Sequence, residues 1–215
     1  MSSPKTLFFS LALFFLGQRS QAQVSLFAGP QMATAKYHIR NAKQDWSFKQ
    51  GFMGGIRLTT QVEGPLYFAP SLYYSQKGYK VTFNRAAFPP DTAAKNNNTS
   101  INTIALAPLL QFDLSKDKSH FFVRFGPGID VAISGKEKFD SSTGKSIDRS
   151  MTFGSIGYSP ATAFAAFQLG FEARNGLSVF ANYEHGLSNF NNADFGPMIL
   201  HRVLGLSVGW KLGKR

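Results

Sequence analysis

Along most of this chain, apolar and polar positions alternate with a period of two, the signature of strands that bury or present one face. In 120–133, Phe121, Val123, Phe125, Pro127, Ile129 and Val131 share one face, and Phe122, Arg124, Gly126, Gly128 and Asp130 share the other. The same rule covers 164–173, 177–185 and 203–212, where Leu204, Leu206, Val208, Trp210 and Leu212 oppose Gly205, Ser207, Gly209 and Lys211. It also covers the stretches from Phe52 to Thr59, Leu66 to Ser75 and Ile104 to Phe112. With a noisier opening strand over 24–34, eight strands are expected. The pattern places Arg57, Arg124, Asp130, Glu172, Glu184 and Lys211 on the face opposite the apolar one.

The connections between these strands alternate in length. Long ones (35–50, 81–100, 135–160, 187–201) take turns with short ones at 62–65, 115–119 and 173–176. That rhythm predicts an all-β, eight-stranded antiparallel up-and-down transmembrane β-barrel with short periplasmic turns and longer external loops. A lipocalin-like soluble barrel is the alternative. Pro30, Pro70, Pro108 and Pro127 fall inside predicted strands, where a closed barrel has no edge to accommodate them. They are expected at bulges or near the membrane interface.

Composition agrees with dilution of the apolar signal over alternate residues. The chain holds 22 Phe, 7 Tyr and 20 Gly but only 16% charged residues, and its mean hydropathy is mildly negative. Lys5, the apolar run Leu7–Leu16 and the small residues Ser20 and Ala22 predict a secretory signal peptide over 1–22, with the barrel over 23–215. The run is too short to span a bilayer as a helix. The formal charge is +11, and removal of Lys5 and Arg19 with the acid-free leader leaves +9. For an exported protein, anionic lipid and lipopolysaccharide are the expected neighbours, and nucleic acid is not. There is no Cys, so no disulfide or thiolate metal site is available.

The stretches Leu72–Lys80 (LYYSQKGYK), Ile104–Leu114, Val123–Gly135 (VRFGPGIDVAISG), Gly176–Asn189 and Arg202–Leu212 resemble the Bacteroidetes outer-membrane β-barrel family, which includes PorT-like proteins and the eight-stranded OmpA/OmpX-like architecture. The resemblance implies an outer-membrane location, tolerance of proline in the strands and, for PorT-like members, a link to secretion and other envelope proteins. The C-terminus departs from the usual barrel ending: Leu212 holds the phase of the expected aromatic, followed by Gly213, Lys214 and Arg215.

Candidate chemistry is sparse. His185, Ser188 and Glu184 invite comparison with a lipid A-modifying hydrolase, which needs the hydroxyl, imidazole and acid in one hydrogen-bonded chain. Adjacent strand residues face opposite ways, so Glu184 is expected inward and unable to orient His185. His38, His120 and His201 show no ligand spacing, so no metal or other cofactor is expected. The inward charges predict either an ion-pair plug or a narrow conductive path, and eight strands favour the plug. Lys36, Arg40, Lys43, Lys49, Arg85, Lys95, Lys136, Lys138, Lys145 and Arg149 are placed in or beside external loops, with Phe83, Phe88 and Phe139 among them. The expected role is a non-enzymatic, monomeric structural or surface-interaction protein acting through these basic loops. An accessory factor for protein secretion or assembly is the alternative.

Overall fold

The computed structural model describes residues 22–87, 91–155 and 157–212. The expected signal peptide up to residue 21, Phe88 and the Gly-Lys-Arg ending lie outside these residues. Eleven strands form: β1 (Gln23–Ile39), β2 (Ala42–Lys43), β3 (Asp45–Ser47), β4 (Lys49–Glu63), β5 (Leu66–Thr82), β6 (Asn96–Asp113), β7 (His120–Asp140), β8 (Ser146–Ser150), β9 (Ala161–Glu172), β10 (Leu177–Gly186) and β11 (Met198–Leu212). Eight long strands make the wall, each antiparallel to its chain neighbour, and β11 closes onto β1 from Val24↔Leu212 to His38↔Met198. The short strands β2, β3 and β8 add to the external ends of β1, β5 and β7. The fold is therefore the expected eight-stranded up-and-down barrel.

The outward face of the wall is apolar and open to the surroundings over one band. On β6 it shows Ile104, Leu106, Leu110 and Phe112, and on β7 it runs from Phe121 to Ile133. Such a band, about nine residues tall on each strand, matches the span of a tilted strand across hydrocarbon. Tight turns close one end: Gly64 (φ 53) and Gly176 (φ 85) take the left-handed conformation that a side chain resists. The start of β1 at Gln23 and the end of β11 at Leu212 lie at that same end.

The wall rises well past the apolar band at the other end, and this corrects the expected loops. Residues 35–39, 96–100 and 135–140 are strand, so Lys36, Lys49, Lys136 and Lys138 sit on the wall, and His201 and Arg202 sit on β11. The run Asn96–Thr103 alternates in burial like the rest of β6. Both of its faces are largely polar, so hydropathy alone carried no period there. β1 then turns into β2 through Arg40 and Asn41, both at positive φ (47° and 63°), as a two-residue hairpin turn requires.

The prolines also differ from expectation. All four point outward, and none causes a bulge; the register shifts only at Gln61/Glu63 and at Asn102/Thr103. Regular β6–β7 pairing stops at Leu106↔Ile129 and resumes at Leu110↔Phe125 in the same register. Pro108 and Pro127 face each other in that gap, so two missing N–H donors fall in one break of the ladder. Pro70 stands beside Pro108 on the next strand. These residues are in the middle of the apolar band, not at its interface.

Candidate functional site

Alternation turns every second residue inward, and the lumen is filled by those side chains in layers. Nearest the short turns, Lys211 pairs with Glu172, and His120 Nε2 stands 3.2 Å from Asp113 Oδ2. Above them Arg57 and Arg124 meet at Gln168, whose Oε1 accepts from Arg57 Nη2 at 3.0 Å and Arg124 Nη1 at 3.4 Å. Arg57 also donates to Ser71 at 2.9 Å. Its guanidinium lies 4.7 Å from the Phe27 ring centre, and that of Arg124 lies 3.8 Å from Phe122. The arginines are thus held by amides, a hydroxyl and aromatic faces, and the expected ion-pair plug is correct only for the other charges.

The next layer centres on Lys77, which the hydropathy pattern did not single out. Lys77 pairs with Asp130 and, at 3.4 Å, with Glu184. Tyr73 donates to Glu184 at 2.7 Å and Thr103 donates to Asp130 at 3.0 Å. One cation between two carboxylates, with hydroxyls on the remaining lone pairs, is the arrangement that makes a buried charge cluster tolerable. The adjoining cavity, bounded by Lys77, Glu184 and His201, has about 10 Å³, room for a single water. Over this layer Tyr37, Tyr79, Ile101, Phe190 and Ile199 form an apolar cap, with Tyr158 stacked on Phe190 at 5.1 Å.

Glu137 ties the external connections together. It accepts from Arg149 Nε at 2.7 Å and from the Tyr158 hydroxyl at 2.8 Å, while Arg149 also pairs with Asp91. Burial, with Tyr79 and Glu137 beside it, pushes the Tyr158 hydroxyl above its ordinary range.

The residues of the candidate hydrolase do not converge. Glu184 faces the lumen, as the alternation predicts. Ser188 Oγ accepts from the Ala163 backbone N–H at 2.7 Å, fixing the start of a loop. His185 pairs with the Tyr183 hydroxyl at 3.0 Å on the outward face. His201 is buried edge-on to Phe190 at 4.9 Å between ring centres, and among the described residues no three potential ligands form a metal cluster.

The outward face above the apolar band is where the exposed cations gather. Lys36, Lys80, Lys136 and Lys138 point out from β1, β5 and β7, and Lys49 Nζ reaches Asn98 Oδ1 at 2.6 Å. Arg202 on β11 lies across from Thr34 of β1. Together they form a basic collar over the arc of the wall from β11 through β1, β4 and β5 to β7. Neutralising partners are few: Lys138 pairs with Asp148 at 2.6 Å.

Among solved structures, the fold is similar to that of OprG from Pseudomonas aeruginosa, with 11% identity, 91% of this chain and 98% of that one covered, and a TM-score of 0.51. Ail, the attachment invasion locus protein of Yersinia pestis, in complex with the heparin analogue sucrose octasulfate, also matches, with 16% identity, 89% and 99% covered, and a TM-score of 0.45. Neisserial surface protein A matches with 13% identity, 88% and 97% covered, and a TM-score of 0.45. No curated protein matches the sequence. Residues 16–192 match the family model described as the outer membrane protein beta-barrel domain. The chain belongs to this family of bacterial outer-membrane β-barrels.

Proposed function

We propose that this protein is a non-enzymatic outer-membrane barrel whose work is done on its external wall, by binding anionic lipopolysaccharide at the outer surface. The observation that carries this reading is the basic collar on the wall beyond the lipid-facing band, around a lumen filled with side chains. Cations at a membrane surface gain on the order of 1 kcal/mol each from anionic headgroups. The barrel, purified and placed in nanodiscs, is expected to retain lipopolysaccharide, and Lys36→Gln/Lys136→Gln/Arg202→Gln to lose affinity and salt sensitivity together. Unchanged retention by that variant would contradict the reading.

The second reading, an accessory factor for secretion or envelope assembly of the PorT-like kind, draws on a different observation. Phe195, at the tip of the last external connection, is 99% exposed and held at φ 59°, and Trp46 packs edge-on to Phe48 at another rim position. Exposed aromatic side chains of this kind suit a protein partner. Pull-down from outer membranes with wild type and Phe195→Ser decides it: loss of a secretion component with the variant supports the reading, and equal recovery contradicts it.

A further inference from the structure

Above the membrane band, the outward faces of β5, β6 and β7 form a ladder of polar residues in register. Lys80 pairs with Asn98, Asn98 with Lys138, and Lys138 with Asp148. One rung further out, Thr82 pairs with Asn96, and Asn96 donates to Asp140 at 2.9 Å. Between these rungs lies a groove of about 400 Å³, lined by Ser47, Lys80, Asn96, Asn98, Lys138 and Asp140. Lys49 reaches into the same region from β4: its stem passes over Gly78, where an added Cβ would lie 3.1 Å from Lys49 Cδ.

Three lysines therefore flank Asn98, Lys49 through its hydrogen bond and Lys80 and Lys138 through the register of the neighbouring strands. Partial burial and the nearness of Lys80 and Lys138 lower the affinity of Lys49 for its proton. Lys138 has Asp148 as a partner, and Lys49 has the Asn98 amide oxygen. Lys80 has no hydrogen bond or ion pair among the described residues. Asp140 is already engaged by Asn96, so the carboxylates at the groove do not fill the space between the cations. An anion with several oxygens would relieve the repulsion and accept from all three lysines and from the Asn98 amide.

The height of the groove selects the ligand. Asn98 is six residues beyond Ile104, the last apolar outward residue of β6. At about 3.3 Å per residue and a tilt of about 40°, that is roughly 15 Å above the apolar band. The headgroup layer of an ordinary bilayer adds only about 5–8 Å on each side, so a glycerophospholipid phosphate lies too low. We infer that the Lys49–Lys80–Lys138 groove binds the phosphorylated saccharide of an outer-leaflet glycolipid, whose acyl chains run down the lipid-facing surface of β5–β7. This inference rests on the collar reading above and assigns its principal site.

The test uses the folded barrel in phosphatidylcholine nanodiscs doped with phosphorylated lipopolysaccharide of short core, with bound glycolipid counted by native mass spectrometry. Lys49→Gln/Lys80→Gln/Lys138→Gln is expected to bind about tenfold more weakly or worse. The matching Arg triple should stay near wild type, as should Lys116→Gln/Lys118→Gln in a turn at the opposite end. Dephosphorylated lipopolysaccharide should bind as weakly as the Gln triple does. The free deacylated saccharide should bind more weakly than the lipid-borne one, and equal binding of the two would overturn the lipid source. A Gln triple that migrates as a folded, heat-modifiable barrel and binds like wild type overturns the site. If Lys36→Gln/Lys136→Gln/Arg202→Gln then loses binding, the collar reading survives without this groove; if it also binds normally, both fall.

Discussion

Lys77 and Lys80 lie three residues apart on β5, and the period of two sends one inward and the other outward. Lys77 is almost wholly buried between Asp130 and Glu184, while Lys80 stands exposed beside a groove. In the lumen each charge has a defined set of partners, and the cost of desolvation makes those partners obligatory. On the external wall like charges sit together with few counterions, a state that water screens and that a ligand can exploit. Burial, not residue type, separates the charges that hold the barrel together from those available for recognition.

Lys77→Met should destabilise the barrel most. It leaves two carboxylates buried without their cation, and a loss of about 3–5 kcal/mol in unfolding free energy is expected from urea titration of heat-modifiable migration. Gly170→Ala comes next. A Cβ there would lie 2.4 Å from the Phe122 ring and 2.5 Å from Phe180 Cβ, so the middle of the lumen must repack at about 1–3 kcal/mol. Lys80→Gln, on the other face of the same strand, should change the same unfolding free energy by no more than about 0.5 kcal/mol.

The smallest effect concerns acid. A hydrogen bond from Asn96 holds Asp140 below the ordinary carboxylate range, and one from Lys138 does the same for Asp148. Their folded-state affinity for protons is depressed, so their contribution is present above the unfolded carboxylate range, near pH 4, and is lost as pH falls through the lower folded values. A spin label at Thr143, in the β7–β8 connection, should gain mobility below about pH 4 while one at Leu109 does not.

Within the apolar band the architecture was readable because outward residues are predominantly apolar and inward ones predominantly small, polar or aromatic, with Met53 and Leu109 as inward exceptions. The same alternation placed Arg57, Arg124, Asp130, Glu172, Glu184 and Lys211 inward, where they are found. It failed for Lys77 and for the strand ends because lipid contact stops there. Beyond Tyr74, Ile104 and Ile133 the outward face turns polar, and Asn96–Ser100 reads as a loop although it belongs to β6. The one signal that could have rescued Lys77 is phase: it lies an even number of residues from Tyr73, which was already assigned inward. The groove itself needed the register of three strands, since Lys49, Lys80 and Lys138 are far apart in the chain.

The proposed function requires a filled lumen and a wall above the band that faces the outside of the cell. The chain has no native Cys, so single-cysteine variants labelled in intact cells with a membrane-impermeant maleimide report position directly. Thr143→Cys, exposed in the β7–β8 connection, is predicted to label readily, and Leu106→Cys, facing lipid, and Leu109→Cys, facing the lumen, to label only after denaturation. Rapid labelling at Leu109, or protection at Thr143, would overturn that arrangement.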